Sequence, residues 1–163
     1  MTTRAAVWAA VAVAVVPAVG GGQPPAPAKA KIEFRWMEPR PVAGITEEAG
    51  IQTSCGPGLW YPHKTPVLTN ADIAAATLTA TDFNTAAGKT ELFTVTFHPT
   101  EAARRKVAAA FGDAKQRDLA VYIDGRYWGT RVLGKATLAE PFTMWAGFTS
   151  SRADAERWVA ACK

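Results

Sequence analysis

The stretch Leu119–Thr130, LAVYIDGRYWGT, carries the strongest structural signal in the chain. It consists of two apolar runs separated by Asp124 and Gly125. An Asp-Gly dipeptide between two such runs favours a two-residue β-hairpin turn, because Gly and Asp tolerate the positive φ that this turn requires. The predicted register pairs three residues across the turn: Ile123 with Arg126, Tyr122 with Tyr127, and Val121 with Trp128.

The hairpin carries three aromatic side chains, Tyr122, Tyr127 and Trp128. Successive side chains of a strand point to opposite faces, so the two tyrosines share one face. Trp128 lies on the other face with Val121 and Ile123. Because exposed aromatic groups offer a partner a large contact area, the three residues predict a protein-binding surface. The alternative is that they pack beneath helices, and the sequence leaves open which face is exposed.

Further strands are predicted on both sides of this hairpin. Ile32–Trp36 (IEFRW) alternates apolar and charged residues, and Leu92–Phe97 (LFTVTF) places Phe93, Val95 and Phe97 on one face. Pro141–Phe148 (PFTMWAGF) predicts the last strand. A weaker strand and turn is predicted for Thr79–Ala87, with Phe83 as its apolar anchor.

Three helices are predicted from their capping residues. Thr69 and Asp72 resemble a capping box and predict a short helix that ends near Leu78. Thr100 predicts the start of a second helix, which Gly112 ends. Its buried stripe is predicted to contain Ala103, Val107, Ala110 and Phe111. Ser151 predicts the start of the third helix, whose apolar face contains Ala155, Trp158, Val159 and Cys162. These elements predict an α+β fold, an antiparallel sheet of about four to five strands with about three helices on one side.

The first twenty residues have the organisation of a secretory signal peptide. A basic start containing Arg4 precedes the apolar run Ala5–Val16, and Pro17 and small residues follow. The run is too short for a typical membrane span of about 20 residues. We therefore predict a signal peptide at 1–20 and a Pro/Ala linker at 21–30, which place the mature chain outside the cytoplasm with no membrane span. The alternative is an uncleaved N-terminal anchor.

The two cysteines, Cys55 and Cys162, would then meet an oxidising compartment. A Cys55–Cys162 disulfide is predicted on this ground, because unpaired thiols are uncommon in exported proteins. It would close a loop of most of the chain and tie the last helix to the Gly/Pro-rich segment around Cys55. The alternative is two free thiols.

The composition disfavours several classes of function. The net charge of +4 is mild, which argues against a dedicated nucleic-acid binder. His63 and His98 do not stand at metal-ligand spacing, and no nucleophile elbow or phosphate-binding glycine loop occurs. The sequence therefore predicts a non-enzymatic protein with no cofactor and no metal. A small secreted hydrolase using one of these histidines with a carboxylate is the less favoured alternative.

Four segments, in this order, resemble the head subdomain of the first periplasmic domain of SecD, a subunit of the protein-export translocase that is called SecDF when fused. They are GLWYPHKTPVLTNADIAAA, LFTVTFHPTEAARRKV, RDLAVYIDGRYWGTRV and FTMWAGFTSSRADAERWVAAC. The family positions are occupied by Asp72–Ile73, Phe97, Asp124–Gly125 and Gly147–Phe148. After the turn, however, Arg126–Thr130 replaces the family's apolar, Ser/Pro-containing stretch.

The resemblance divides the mature chain into an N-terminal strand with an irregular connection at 31–58 and a SecD-head-like domain at 59–163. It implies a domain that contacts unfolded exported polypeptides or envelope proteins. The family's transmembrane helices have no counterpart in these segments, so it implies no proton-driven motor. The alternative is a structural or interaction domain that has lost the translocation role.

Overall fold

The computed structural model describes residues 29–53, 58–85, 88–135, 142–149 and 151–163. Nine strands and two α-helices lie within these ranges. In chain order the elements are β1 Ile32–Glu38, β2 Ile51–Gln52, β3 Leu59–Pro62, β4 Leu68–Thr69, a 3-10 turn Asn70–Asp72, β5 Ile73–Thr85, β6 Gly88–Pro99, α1 Glu101–Phe111, β7 Gln116–Ile123, β8 Arg126–Gly134, β9 Met144–Thr149 and α2 Arg152–Ala160.

The strands form two antiparallel sheets. The large sheet has the order β2-β3-β1-β7-β8, and β4 also pairs with β1. The small sheet has the order β5-β6-β9. The predicted antiparallel α+β class is therefore confirmed, whereas a single sheet of four to five strands with three helices is corrected to two sheets and two α-helices.

The hydrophobic core lies on one side of the large sheet, which we call its inner face. Alternate residues of the two central strands point into this core: Ile32, Phe34, Trp36, Leu119, Val121 and Ile123. Phe93, Val95 and Phe97 of the small sheet enter the same cluster, as predicted from their alternation. Both helices contribute to it as well, so the expectation that the helices pack on one side of the sheet is confirmed.

Both α-helices begin where their caps predict. The Thr100 hydroxyl accepts a hydrogen bond from the Ala103 amide, and the Ser151 hydroxyl accepts one from the Asp154 amide. The buried stripe of α1 contains Ala103, Val107 and Phe111, but Ala110 is exposed. In α2 the fully buried residues are Ala155 and Trp158.

The predicted helix from Thr69 to Leu78 is wrong. The capping box of Thr69 and Asp72 is present, but it starts a single 3-10 turn, after which β5 runs for 13 residues. β5 pairs with β6 almost along its whole length, and these cross-strand bonds override the helical preference of the alanines. Phe83, the predicted anchor, lies in the exposed part of this ribbon with 41% of its surface accessible.

The β7–β8 hairpin has the predicted turn and the first two predicted pairs. Ile123 pairs with Arg126 and Tyr122 with Tyr127, but Val121 pairs with Gly129 instead of Trp128. A β-bulge at this point inserts Trp128 as an extra residue, which a register counted outward from the turn cannot anticipate.

Two further predictions concern the cysteines and the N-terminal segment. Cys162 has a free, half-buried thiol that contacts the Trp158 carbonyl at 3.6 Å, and Cys55 lies outside the described residues. The predicted disulfide is therefore not supported. The predicted signal peptide at 1–20 also lies outside them, as does the linker as far as residue 28, but Ala30, which was assigned to the linker, is buried in the core.

Candidate functional site

The face of the large sheet opposite the core, its outer face, carries polar side chains that are unusually well buried. On β1 it contains Glu33, Arg35 and Met37, which lie opposite Tyr122, Ala120 and Asp118 of β7, respectively. Ile51 and Trp60 pack over the Met37–Ala120–Tyr122 cluster and cover part of this face. The strand pattern thus places charged groups where they are shielded from water without entering the core.

A groove of about 600 Å³ opens on this face, and we call it the outer groove. Its lining combines charged, aromatic and aliphatic side chains: Arg35, Glu47, Glu48, Ile51, Lys64 and Tyr122. Glu48 and Lys64 are exposed, whereas Tyr122 is only 9% exposed. The groove therefore combines accessible charges of both signs with a buried aromatic group.

Tyr122 is the most perturbed group of the groove. Its hydroxyl is buried and has no hydrogen-bond partner among the described residues. Burial is the main reason that the pKa of Tyr122 is raised to about 12, so the hydroxyl is a neutral donor at any physiological pH. The ring lies 5.3 Å from the Arg35 guanidinium and 6.0 Å from the Tyr127 ring, which hold it in place.

A chain of ion pairs borders the groove. Glu33 contacts Lys31 at 2.6 Å and Arg35 at 2.7 Å, and Arg35 also contacts Glu47 at 3.1 Å. Burial alone would raise the pKa of Glu33, but the hydrogen bonds and charges of Lys31 and Arg35 outweigh it and leave the pKa lowered. Glu33 is therefore a buried carboxylate whose charge is balanced inside the protein.

A second pocket, of about 400 Å³, lies at the other end of the outer face, and we call it the end pocket. Its lining includes Met37, Glu38, Trp60, Phe111, Arg117 and Asp118. Asp118 is 8% exposed, and its Oδ1 has no hydrogen-bond partner among the described residues. Burial raises the pKa of this carboxyl.

The structure places the three aromatic residues of the β7–β8 hairpin in different surroundings. Tyr122 lines the outer groove, and Tyr127 is half-buried beside it with its hydroxyl 2.8 Å from the Thr130 hydroxyl. Trp128 lies on the inner side, edge-to-face with Trp158 at 4.6 Å. The face assignment made from alternation agrees with this placement. As binding residues the three remain a prediction.

Sequence reasoning missed Arg35, Glu47 and Asp118 as site residues. The signal for the first of these was present in the alternation of IEFRW, where the charged positions point away from the core. Asp118 lies far from β1 in the sequence and reaches its face through strand pairing, whereas Glu47 lies 12 residues after Arg35 and reaches it through the returning loop.

The two histidines, His63 directly after β3 and His98 on β6, have different partners. His63 Nε2 is 3.0 Å from Glu38, which also receives a hydrogen bond from Arg117 at 2.7 Å. His98 Nε2 is 2.6 Å from the Thr77 hydroxyl in an exposed setting. Within the described part of the chain, no three residues of the kinds that ligate metals come together.

Comparison with known proteins returned no family model and no curated protein that matches the chain. It did return solved structures of SecDF. One, described as a membrane component that enhances protein export, is 18% identical, with a TM-score of 0.48, and the match covers 82% of this chain and 62% of that one. The other, SecDF in a super-membrane-facing form, is 19% identical with the same TM-score, and the match covers 82% of this chain and 18% of that one.

These solved structures are of SecDF, the protein that the four sequence segments resemble. This chain spans about three fifths of the first neighbour and less than a fifth of the second. A likeness at this identity and TM-score assigns no activity, and neither neighbour is described as belonging to a catalytic family. The described residues contain no helix that is long and apolar enough to cross a membrane.

Proposed function

We propose that this protein is a non-catalytic binding domain of the SecD-head type that acts outside the cytoplasm, in connection with protein export. It binds segments of unfolded exported polypeptides in the outer groove, with Tyr122 at the contact. The basic and apolar N-terminal stretch supports the location, and the resemblance supports the connection with export.

The observation that carries the binding role is the unpartnered hydroxyl of Tyr122 in a groove of mixed character. A buried polar group without a partner costs stability, so its retention in a groove favours a role in contacting a ligand. A polypeptide offers what this lining lacks, since every residue supplies a carbonyl acceptor for the hydroxyl. Ile51 and the Tyr122 ring offer apolar contact to its side chains, and Lys64 and Glu48 offer charges at the rim.

The groove is also of a suitable size. Binding sites for small groups commonly have volumes of roughly 300–1,000 Å³. A groove of about 600 Å³ therefore accommodates a few residues of an extended chain rather than a folded surface. This favours transient holding of many sequences over a single tight partner, because few contacts are made and most involve the backbone.

The test is the affinity of the purified protein for a permanently unfolded polypeptide, measured by fluorescence anisotropy with a labelled, reduced and carboxymethylated protein. Tyr122→Phe removes only the unpartnered hydroxyl, so it leaves the fold intact and weakens binding by about fivefold to tenfold, the value of one hydrogen bond. Tyr127→Phe is the matched control, because that hydroxyl is already 2.8 Å from Thr130.

Two outcomes would contradict the proposal. One is the absence of measurable binding to any unfolded polypeptide by the folded wild-type protein. The other is an equal loss of affinity in Tyr122→Phe and Tyr127→Phe. The first outcome would favour the alternative, a structural or interaction domain without the translocation role.

A further inference from the structure

We infer that the end pocket is a second binding site, which takes the cationic end of a lysine or arginine side chain from a partner polypeptide, with Asp118 as the counter-charge. This site is separate from the outer groove. Asp118 and Tyr122 point to the same face of β7 four residues apart, so about 13 Å lies between them at the rise of a strand. A cation would bind the pocket whether or not the groove holds a polypeptide.

The first argument is the state of the Asp118 carboxylate. It is more than nine-tenths buried, lines the pocket and has an Oδ1 with no partner among the described residues. A buried charge without a counter-charge is one of the costlier arrangements in a protein. A bound cation would supply the missing partner.

The second argument is that the arginine in the pocket lining, Arg117, is already engaged elsewhere. The Arg117 guanidinium donates to Glu38 Oε1 at 2.7 Å and to the Ala110 carbonyl at 2.9 Å. It also stacks over the Trp36 ring, 4.6 Å from its centroid. Glu38 is neutralised by this contact, so the negative charge left over in the pocket is that of Asp118.

The third argument is the character of the walls. Met37, Trp60 and Phe111 contribute apolar surface to the pocket that Asp118 lines. Lysine and arginine side chains bury their methylene stems along such surface while their charged ends seek a partner. An aromatic wall also attracts a cation to its face. A neutral alkyl chain would contact the apolar walls but would leave Asp118 without a counter-charge.

The pocket is poorly suited to a metal ion. Calcium takes about six to eight oxygen ligands, and Asp118 offers one free carboxylate beside a Glu38 that is already bound to Arg117. An ammonium or guanidinium group needs only one such acceptor. The donor set therefore favours an organic cation.

The experiment titrates the folded protein with three small probes, the Nα-acetyl methylamides of lysine, arginine and norleucine, and follows binding by NMR. At least one of the two cationic probes is expected to bind about tenfold more tightly than the neutral norleucine probe, the usual value of one charged hydrogen bond. Asp118→Asn is expected to remove this preference. Asp113→Asn, which removes an exposed acid just after α1, is expected to keep it.

A carboxyl-detected titration of Asp118 in the wild type gives a second test that needs no substitution at Asp118. Saturation with the cationic probe that binds is expected to lower the pKa of Asp118, whereas norleucine leaves it unchanged. The inference is overturned if norleucine binds as well as both cationic probes, or if neither cationic probe moves this pKa. Because these tests read out the pKa of Asp118 and the effect of its substitution, their results do not depend on polypeptide binding in the outer groove.

Discussion

The two faces of the large sheet are built from the same strands but carry opposite kinds of buried residue. The inner face presents Phe34 and Val121, both essentially inaccessible, to one continuous apolar cluster. The outer face presents Glu33, Asp118 and Tyr122, all at or below 9% exposure. Polar groups held this far from water have to be balanced inside the protein or by a ligand. The inner face therefore accounts for the stability of the fold, and the outer face is the face at which we propose binding.

The outer face itself contains a balanced end and an unbalanced end. Glu33 is paired with Lys31 and Arg35, and its pKa is lowered, although burial alone would raise it. Asp118 has an unpaired Oδ1, and burial raises its pKa. The pKa values of two buried carboxyl groups on one sheet are thus shifted in opposite directions. This difference distinguishes Glu33, which is part of an ion pair, from Asp118, whose Oδ1 has no partner among the described residues.

The largest expected effect is on the inner face. Phe34→Ala removes a fully buried ring that packs edge-to-face on Phe97 at 5.6 Å. Loss of this contact and the cavity that remains should lower the free energy of unfolding by about 3–5 kcal/mol, measured by chemical denaturation. Phe83→Ala on the exposed β5–β6 ribbon is the matched control and should change it by less than about 1 kcal/mol. Equal effects would contradict the assignment of the core.

A smaller loss of stability is expected from a substitution at the balanced end of the outer face. Arg35→Met leaves Glu33 with Lys31 alone and Glu47 without its partner. The free energy of unfolding at pH 7 should fall by about 1–3 kcal/mol, because a buried carboxylate loses a counter-charge. Arg105→Met removes an exposed arginine that pairs with Glu101 on α1 and should have an effect within about 0.5 kcal/mol. No difference between the two variants would show that Arg35 is dispensable.

At the unbalanced end, removal of the charged group should change the free energy of unfolding in the opposite direction. The pKa of Asp118 is raised above its ordinary value of 3.8, so its contribution to stability is greatest below that pH and is lost as pH rises through the raised pKa. Asp118→Asn should therefore stabilise the protein at pH 7 by about 1 kcal/mol relative to wild type.

Glu33→Gln serves as the comparison for Asp118→Asn. The pKa of Glu33 is lowered below its ordinary value of 4.5, so its contribution is present above that pH and is lost as pH falls through the lowered pKa. This variant should be destabilised at pH 7, with the difference from wild type shrinking in acid. Denaturation curves collected from pH 3 to pH 7 measure both variants. Shifts of the same sign at pH 7 would refute the distinction between the two ends.

A local effect, which leaves the stability of the fold unchanged, concerns a thiol at the edge of the core. Burial raises the pKa of Cys162 from 9.0 to about 11, so near pH 8 its thiolate fraction is about a hundredfold lower than in the unfolded chain. Alkylation of the native protein should be slower by about that factor than alkylation after denaturation without reductant, as followed by mass spectrometry. Failure to alkylate Cys162 even after denaturation would contradict the free thiol and support the predicted bridge to Cys55.

Local chemistry explains which elements the sequence could predict. Thr100 and Ser151 predict the starts of their helices, and Asp124–Gly125 predicts its turn, because each signal lies within a few residues of the structure it specifies. The first part of β5, as far as Leu78, is predicted as a helix from the sequence because its preference for a strand comes from pairing with β6, which starts after β5 has ended. Tyr122 was found as an aromatic on a hairpin. Asp118 could not be identified from the sequence, since its lack of a hydrogen-bond partner depends on how the outer face is assembled.

The central claim is that the outer face, and not the side covered by helices, contacts exported polypeptides. The most direct measurement places a photo-crosslinking residue at Lys64, an exposed position of the outer groove, and at Ala109, an exposed position of α1 on the opposite side. The two proteins are expressed in cells, irradiated, and compared by the identity and number of captured chains. We predict that Lys64 captures many unfolded exported chains and that Ala109 captures few. Equal capture at both positions, or capture at Ala109 alone, would contradict this account.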